Sequence, residues 1–456
     1  MQPSMPDDSS PQPATAQRRV LGFWMCLALC VGNMIGSGVF LLPASLAPLG
    51  WNGVFGWFVT IAGAMCLAYI FATLARSLPR AGGPYAYTRE AFGPMTGFLV
   101  AWSYWISLWV GNVAIATGVV APLSTLIPGI AEHSVLITCA MVWALIGINC
   151  YGAATAGRVQ VVTTLLKFLP LAAVIVLAAI VVSGDGGASL PPLRAEDIQL
   201  TGPAGISAAA ALTLWAFLGL ESATVPAEKV EDPARTIGRA TLIGTALTGL
   251  IYIFACSSVA LLLPPEEAAQ SGAPLADFVE LHWGEGAGVA IALFAAISAF
   301  GALNGWILLQ GEMPWAMAKG GVFPAWLARN SARGTPVRAH LVSGALLTIV
   351  LLMNYSRSMA DLFKFIILLA TTASLVPYFF VSLAALRLRA RGGVTATALL
   401  PPIAILGAVY ALWAIWGAGV EAVGWWFVLL ALGVPIYFAT RRSAPADEAA
   451  EEAPVG

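Results

Sequence analysis

Apolar residues in this chain come in long runs, and nearly all the arginine, aspartate and glutamate falls in short stretches between them. A bilayer's hydrocarbon core takes roughly 20 residues of helix. On that rule the pattern predicts twelve spans, at about 22–46, 53–77, 95–126, 134–151, 159–183, 204–230, 237–263, 286–318, 339–355, 360–386, 397–418 and 422–440. The third and eighth exceed the membrane thickness and must tilt or protrude. Two spans do not read as continuous helix. The first contains GNMIGSGVFLLPA at 32–44, with Gly36, Ser37 and Gly38 near its middle. The sixth contains LTLWAFLGLESATVPAEKVEDP at 212–233, with Gly219 and Glu221 at mid-depth and Pro226 beyond.

Backbone left unpaired in hydrocarbon costs several kcal/mol per group, so a break at that depth must face protein or line a cavity. The half-helix that restarts near Val39 would turn free N–H groups and a positive dipole end toward such a cavity, which suits a carboxylate. A glycine-softened helix packed against a neighbour is the competing explanation. The recurrence of a break five spans later favours the cavity. Interrupted helices at matching positions of two halves mark an inverted-repeat secondary transporter with a midplane site. The expected fold is therefore all-α and polytopic. Repeat one would cover about 22–183, an oppositely inserted repeat two about 204–386, and two extra helices about 397–440, within a transporter domain at 21–442.

Composition agrees: 59% of residues are hydrophobic and 10% charged, against roughly 25% charged in soluble domains. Residues 1–20 and the acidic segment 443–456 read as disordered tails. The stretch after Arg18 and Arg19 mimics a signal peptide but is too long and is followed by further spans, so it reads as a retained first helix. Arg76, Arg80, Arg89, Arg158, Lys229, Arg235, Arg239, Lys319, Arg387, Arg441 and Arg442 fall on the same side as Arg18 and Arg19, whereas Arg194 and Arg357 fall opposite. By the positive-inside rule both termini are expected in the cytoplasm of a bacterial inner membrane. All six cysteines lie in apolar segments without metal or disulfide spacing. No phosphate loop, nucleophile elbow or soluble catalytic domain is legible, so an enzyme or an ATP-driven pump is not expected, nor a cofactor, metal or nucleic acid.

Ionisable groups inside spans are costly and functional by default. Lys167 in the fifth span is either a reversibly protonated coupling group or a permanent charge with a structural role. Glu221 is either a proton-linked gate or a structural partner. Glu312, near the end of the eighth span, suits a gate or helix-end role better than substrate contact. Trp306 follows Gly301 and Gly305, which would leave room for an indole to stack on a cation, or it is one packing tryptophan among sixteen. Tyr104 and Asn112 serve equally well as site residues or as interhelical hydrogen-bond partners.

The blocks GNMIGSGVFLLPA, PRAGGPYAYTREAFGP (79–94), SYWISLWVGNVA (103–114), WAFLGLESATVPA (215–227) and GGVFPAWLARNSARGTPVRA (320–339) resemble the amino acid–polyamine–organocation superfamily. Within it they are most similar to the basic amino acid/polyamine antiporters of the arginine/agmatine type. That resemblance implies a LeuT-like fold of twelve helices with helices 1 and 6 broken, alternating access, and a homodimer as the compatible assembly. It implies that a substrate carboxylate sits at Ser37 and Gly38 beside Met34, and that the α-amino group meets carbonyls near Trp215 and Leu218. A guanidinium would stack on Trp306, with Tyr104 and Asn112 completing the pocket. Tyr85, Trp215, Phe363 and Tyr378 would gate it.

Ser107, Leu108, Ile115 and Ala370 depart from the arginine/agmatine pattern. Leu108 is bulkier and Ala370 lacks a hydroxyl that would hold a guanidinium. Lys167 is a further departure. The leading expectation is an arginine/agmatine antiporter of amino acid or amine substrates in the lipid bilayer. The alternative is a proton-coupled permease or exporter of neutral amino acids. A channel would need a polar ring or repeated pore helix, and a sensor a signalling domain; neither is visible.

Overall fold

A computed structural model describes residues 19–442 except 37, 128, 131, 203, 355–358, 396 and 418–419. Of the two tails expected to be disordered, residues 1–18 and 443–456 lie outside the described residues, as do Ser37 and the side chain of Phe363; Arg19 and Val20 are described, and Val20 N donates to Lys229 O at 2.8 Å. The chain runs α1 (Phe23–Met34), α2 (Gly38–Leu46), α3 (Trp51–Ser77), α4 (Pro84–Phe92), α5 (Pro94–Leu126), α6 (Ser134–Tyr151), α7 (Ala153–Gly184) and α8 (Ile206–Leu214). It continues with α9 (Pro233–Leu262), α10 (Pro265–Gln270), α11 (Pro274–Trp283), α12 (Glu285–Lys319), α13 (Val337–Asn354), α14 (Met359–Ala390), α15 (Leu400–Gly417) and α16 (Val420–Arg442). Among the described residues the only extended pairing is a single parallel bridge, Leu21 with Val230.

Among the described residues nine helical segments are long and apolar enough to cross a membrane, or ten if α1 and α2 together count as one span. Residues 337–353 and 400–416 form shorter apolar helices. Three further helices, α4, α10 and α11, were not anticipated because they are too short and too polar to register as spans. Proline at the first turn starts each of them. A proline there sacrifices an N–H that has no helical acceptor anyway.

Burial separates two kinds of apolar face. Val162, Leu165, Leu169, Val176 and Ile180 form an exposed stripe along α7, and Ile405, Leu406, Val409 and Leu412 form another along α15. Such stripes at helical spacing suit hydrocarbon rather than water. Inside, Trp57, Tyr87, Tyr104, Tyr252 and Phe71 are fully enclosed. The broken helix α1–α2 runs through this interior, packed by α7, α9 and α12, while α5 lies against both α12 and α14.

Candidate substrate cavity

Helix α1 stops at Met34 because Ile35 leaves helical geometry (φ −80°, ψ 85°) ahead of Gly36. The carbonyls freed by that stop do not go unpaired. Lys167 of α7 donates to Gly32 O at 2.9 Å and to Ile35 O at 2.6 Å. Trp306 Nε1 donates to Asn33 O at 3.2 Å. The Tyr252 hydroxyl reaches Met34 O at 2.7 Å, and Ser298 Oγ lies 3.3 Å from Ile35 O and 3.4 Å from Gly36 O. An unpaired buried carbonyl costs roughly 1–3 kcal/mol, so these side chains make the break tolerable at this depth. On the far side, the first amides of α2 have no acceptor within their own helix.

The second break is longer than the sequence suggested. Helix α8 ends at Leu214, and the chain then proceeds by 3-10 turns at 215–217, 222–224 and 227–229 rather than by a second α-helix. Leu218 is extended (ψ 132°) and Gly219 has φ +107°. A Cβ at Gly219 would fall 3.0 Å from the Asn33 side chain and 3.1 Å from the Trp306 ring, so both its conformation and its neighbours demand glycine. The Tyr252 hydroxyl also lies 3.2 Å from Ala216 O, which ties the two breaks to one group on α9.

Between the breaks lies a cavity of about 60 Å³, as space open to the centre of a water molecule. The expected site residues Met34, Gly38, Ser107, Asn112, Trp215, Leu218, Trp306 and Ala370 line it, together with Leu108 and Ile115. Asn33, Gly36, Val39 and Ser374 also line it and were not anticipated as site residues. Among the described residues no ionisable side chain is part of the lining. Trp215 packs directly over Gly38, where an added Cβ would meet the ring at 2.0 Å.

Other expected residues lie elsewhere. Tyr104 is fully buried behind the wall and donates to Glu221 Oε1 at 2.5 Å; Tyr378 donates to Oε2 of the same carboxylate, and Gly219 N lies 3.2 Å from that oxygen. Tyr85 accepts from Arg89 at 2.9 Å beside Gly320, on α4. Gly301 and Gly305 do not make room for the indole of Trp306. Their missing side chains admit Thr163 of α7 and Asn33 of α1, at 2.4 and 2.0 Å from an added Cβ. The indole is pinned by its bond to Asn33 O instead. The Ser107 hydroxyl donates to its own helix, at Tyr104 O, 2.6 Å away.

A ladder of amides crosses the interior from the cavity wall. Asn33 Nδ2 donates to Ser222 Oγ (2.8 Å), and Gln160 Nε2 lies 3.4 Å from Asn33 Oδ1. Asn304 Nδ2 donates to Gln160 Oε1 (3.0 Å), and Asn149 Nδ2 lies 3.3 Å from Asn304 Oδ1. Polar residues isolated within apolar runs were the available signal for Gln160 and Asn304. At one end of the bundle Lys229 forms a buried ion pair with Glu312. Lys229, counted from sequence among the cytoplasmic-side charges, is only 3% exposed there.

Residues 21–439 match the amino acid permease family. The chain belongs to that family. It is 34% identical over 370 residues to the cadaverine/lysine antiporter of Escherichia coli (strain K12), covering 79% of this chain and 82% of the relative. It is 32% identical over 403 residues to a putative arginine/ornithine antiporter of Bacillus subtilis (strain 168), covering 82% and 86%. The arginine/ornithine antiporter of Pseudomonas aeruginosa is 32% identical over 386 residues, covering 80% and 78%. These relatives set this amino acid permease among the basic amino acid/polyamine antiporters, the branch its motifs pointed to. It is a multi-pass membrane transporter rather than an enzyme.

Proposed function

We propose that this permease exchanges a basic amino acid for a related amine or amino acid by alternating access. The observation that carries the reading is the meeting of both helix breaks and the Trp306 ring in one cavity. In this reading the substrate carboxylate takes the first amides of α2, from Gly38 on, beside Met34, with Ser37 as the further residue expected there from the sequence. The α-ammonium takes carbonyls near Trp215 and Leu218, and the distal cation lies against Trp306 and Asn112, flanked by Ser107 and Ala370. Tyr104 acts from behind the wall through Glu221. Tyr85, Glu221, Phe363 and Tyr378 gate the site, and Lys167 couples or braces it. Twelve spans follow if the bent pair and both shorter apolar helices cross the bilayer; ten of them form the five-plus-five inverted repeat. The assembly resides in the bacterial inner membrane with both termini cytoplasmic, compatible with a homodimer.

Arginine with agmatine remains one exchange pair. The names of the relatives make lysine with cadaverine and arginine with ornithine equal candidates. The apolar lining at Leu108, Ile115 and Ala370 favours a second reading, proton-coupled transport of neutral amino acids. Proteoliposomes loaded with arginine, lysine, agmatine, cadaverine, leucine or buffer separate them. Labelled arginine or lysine uptake that requires an internal basic substrate or diamine is the expected result. Leucine uptake into empty vesicles driven by a proton gradient would replace it with the second reading.

A further inference from the structure

Beyond the second break the chain fastens itself to α12 by two ion pairs of opposite sense. Glu228 pairs with Lys319, and the next residue, Lys229, pairs with Glu312. Glu312 and Lys319 stand about two helical turns apart on one face of α12. Trp315 lies between them, with Lys229 Nζ 5.8 Å and Lys319 Nζ 5.2 Å from its ring. Lys319 and Glu228 are 51% and 28% exposed, whereas Lys229 and Glu312 are 3% and 1% exposed. The seam between this turn and α12 therefore opens at the surface and runs inward, toward the end of α12 that brings Trp306 to the cavity.

The turn that carries Glu228 and Lys229 also holds the lead-in to the first broken helix. Val20 N and Leu21 N donate to Lys229 O at 2.8 and 2.9 Å, and Glu231 N donates back to Leu21 O at 2.9 Å. The start of α1, the end of the second break and α12 thus meet at one place. The turn itself is a short 3-10 piece, Ala227–Lys229, entered through Pro226. Such pieces are held by poorer hydrogen bonds than an α-helix, so this one owes its position to what it is fastened to.

The buried pair is incompletely satisfied. Glu312 Oε2 has no partner among the described residues. Two apolar side chains would close the same seam without that cost, since a buried ion pair is seldom more stable than its apolar replacement. The charges differ from apolar groups in what happens when the seam parts. Ammonium and carboxylate then recover their water and the orphaned oxygen gains a donor, whereas apolar side chains would lose burial.

We propose that Lys229 and Glu312 form a releasable latch. It holds the end of the second break and the lead-in to α1 against α12 while that side of the protein is shut, and it keeps the cost of parting them low. Glu228 and Lys319, partly in water, are the outer rung of the same seam and separate with it. The inference rests on the alternating-access reading above and adds to it a contact that must open on this side.

The test uses the full-length protein. Lys229→Met with Glu312→Leu closes the seam without charge. In proteoliposomes loaded with arginine and lysine its kcat for exchange should fall about tenfold, with KM changed less than about twofold. Hydrogen–deuterium exchange, which needs no substrate, should show the backbone amides of 222–231 about tenfold better protected than in wild type. Lys229→Arg keeps both charges and should exchange substrate within about threefold of wild type. An apolar variant that transports and deuterates like wild type, or an arginine variant as slow as the apolar one, overturns the proposal. Should the apolar variant fail to insert, a tether decides. Glu228→Cys with Lys319→Cys is bridged across the exposed mouth of the seam by a bifunctional methanethiosulfonate, with wild type treated alike to control for the native cysteines. Transport lost on bridging and restored by reductant upholds the latch, and transport that survives a completed bridge overturns it. Wild type that exchanges no substrate would end the antiporter reading, and the deuterium comparison would still decide the latch.

Discussion

Lys167 donates to the carbonyl of Ile35 at 2.6 Å, so an ammonium on α7 closes the end of α1 where the helix breaks. The same group serves Gly32 O, and the lysine is fully buried. Its geometry is that of a brace, and a coupling role would have to act through this contact. Lys167→Ala orphans Gly32 O and leaves Ile35 O with only Ser298. At roughly 1–3 kcal/mol per buried orphan, the variant should melt at lower temperature and exchange at less than about a tenth of the wild-type rate. Thermal unfolding in detergent and arginine exchange measure both. Unchanged transport with unchanged pH dependence would remove Lys167 from either role.

Glu221 collects three donors, from Tyr104, Tyr378 and Gly219 N. A glutamine there must turn its amino group toward one of those donors. Glu221→Gln should slow exchange, and a double-mutant cycle with Tyr104→Phe should return a coupling of roughly 0.5–3 kcal/mol. Additive losses would mean that the two side chains act independently.

Trp306 lines the cavity while its Nε1 holds Asn33 O. If a basic substrate stacks on Trp306 as proposed, Trp306→Leu removes a cation–π contact worth about 0.5–2 kcal/mol, which corresponds to roughly a twofold to thirtyfold loss in affinity for that substrate. Leucine binding should fall less. Competition assays against labelled arginine compare the two, and equal losses would take Trp306 out of the specificity argument.

Gly219 sits at φ +107° with Asn33 and Trp306 at the position a Cβ would claim. Gly219→Ala strains the backbone and displaces both neighbours, at a cost of about 1–3 kcal/mol. A lower melting temperature with weakened substrate binding is expected. A variant that melts and binds like wild type would show that the turn has slack.

Lys229 and Glu312 pair in the interior, with Trp315 also 5.8 Å from the ammonium. Val20 N and Leu21 N donate to the main-chain carbonyl of Lys229 at 2.8 and 2.9 Å, so the backbone beside this pair ties down the segment that leads into α1. Glu312→Ala leaves a buried unpaired ammonium and should destabilise by about 3–5 kcal/mol. Lys229→Met with Glu312→Leu removes both charges together and should recover most of that stability. If the double variant is no better than the single, the pair is more than a charge match.

The helices were legible because a membrane span is a local property. Twenty apolar residues must satisfy their own backbone, so the run announces itself, as 134–151 did to the residue. The breaks were legible for the opposite reason, since Gly36 and Gly219 interrupt runs that had no local cause to stop. Motif order then carried the family, and the cavity gathers Met34, Gly38, Asn112, Trp215 and Trp306 from distant parts of the chain.

What no single segment contains is the identity of each partner. Nothing near Ile35 in sequence names Lys167, 132 positions away, and nothing near Asn112 names Gln310, 198 positions away. Gly301 and Gly305 looked like space for a ring, and packing gave that space to Thr163 and Asn33. The sequence alone determined where hydrocarbon-compatible helices run, where they must break and which family they belong to, because those follow from periodicity, composition and motif. Only the tertiary structure decided which polar atoms satisfy one another, because a buried hydrogen bond depends on where separate helices place their atoms to within a few tenths of an ångström.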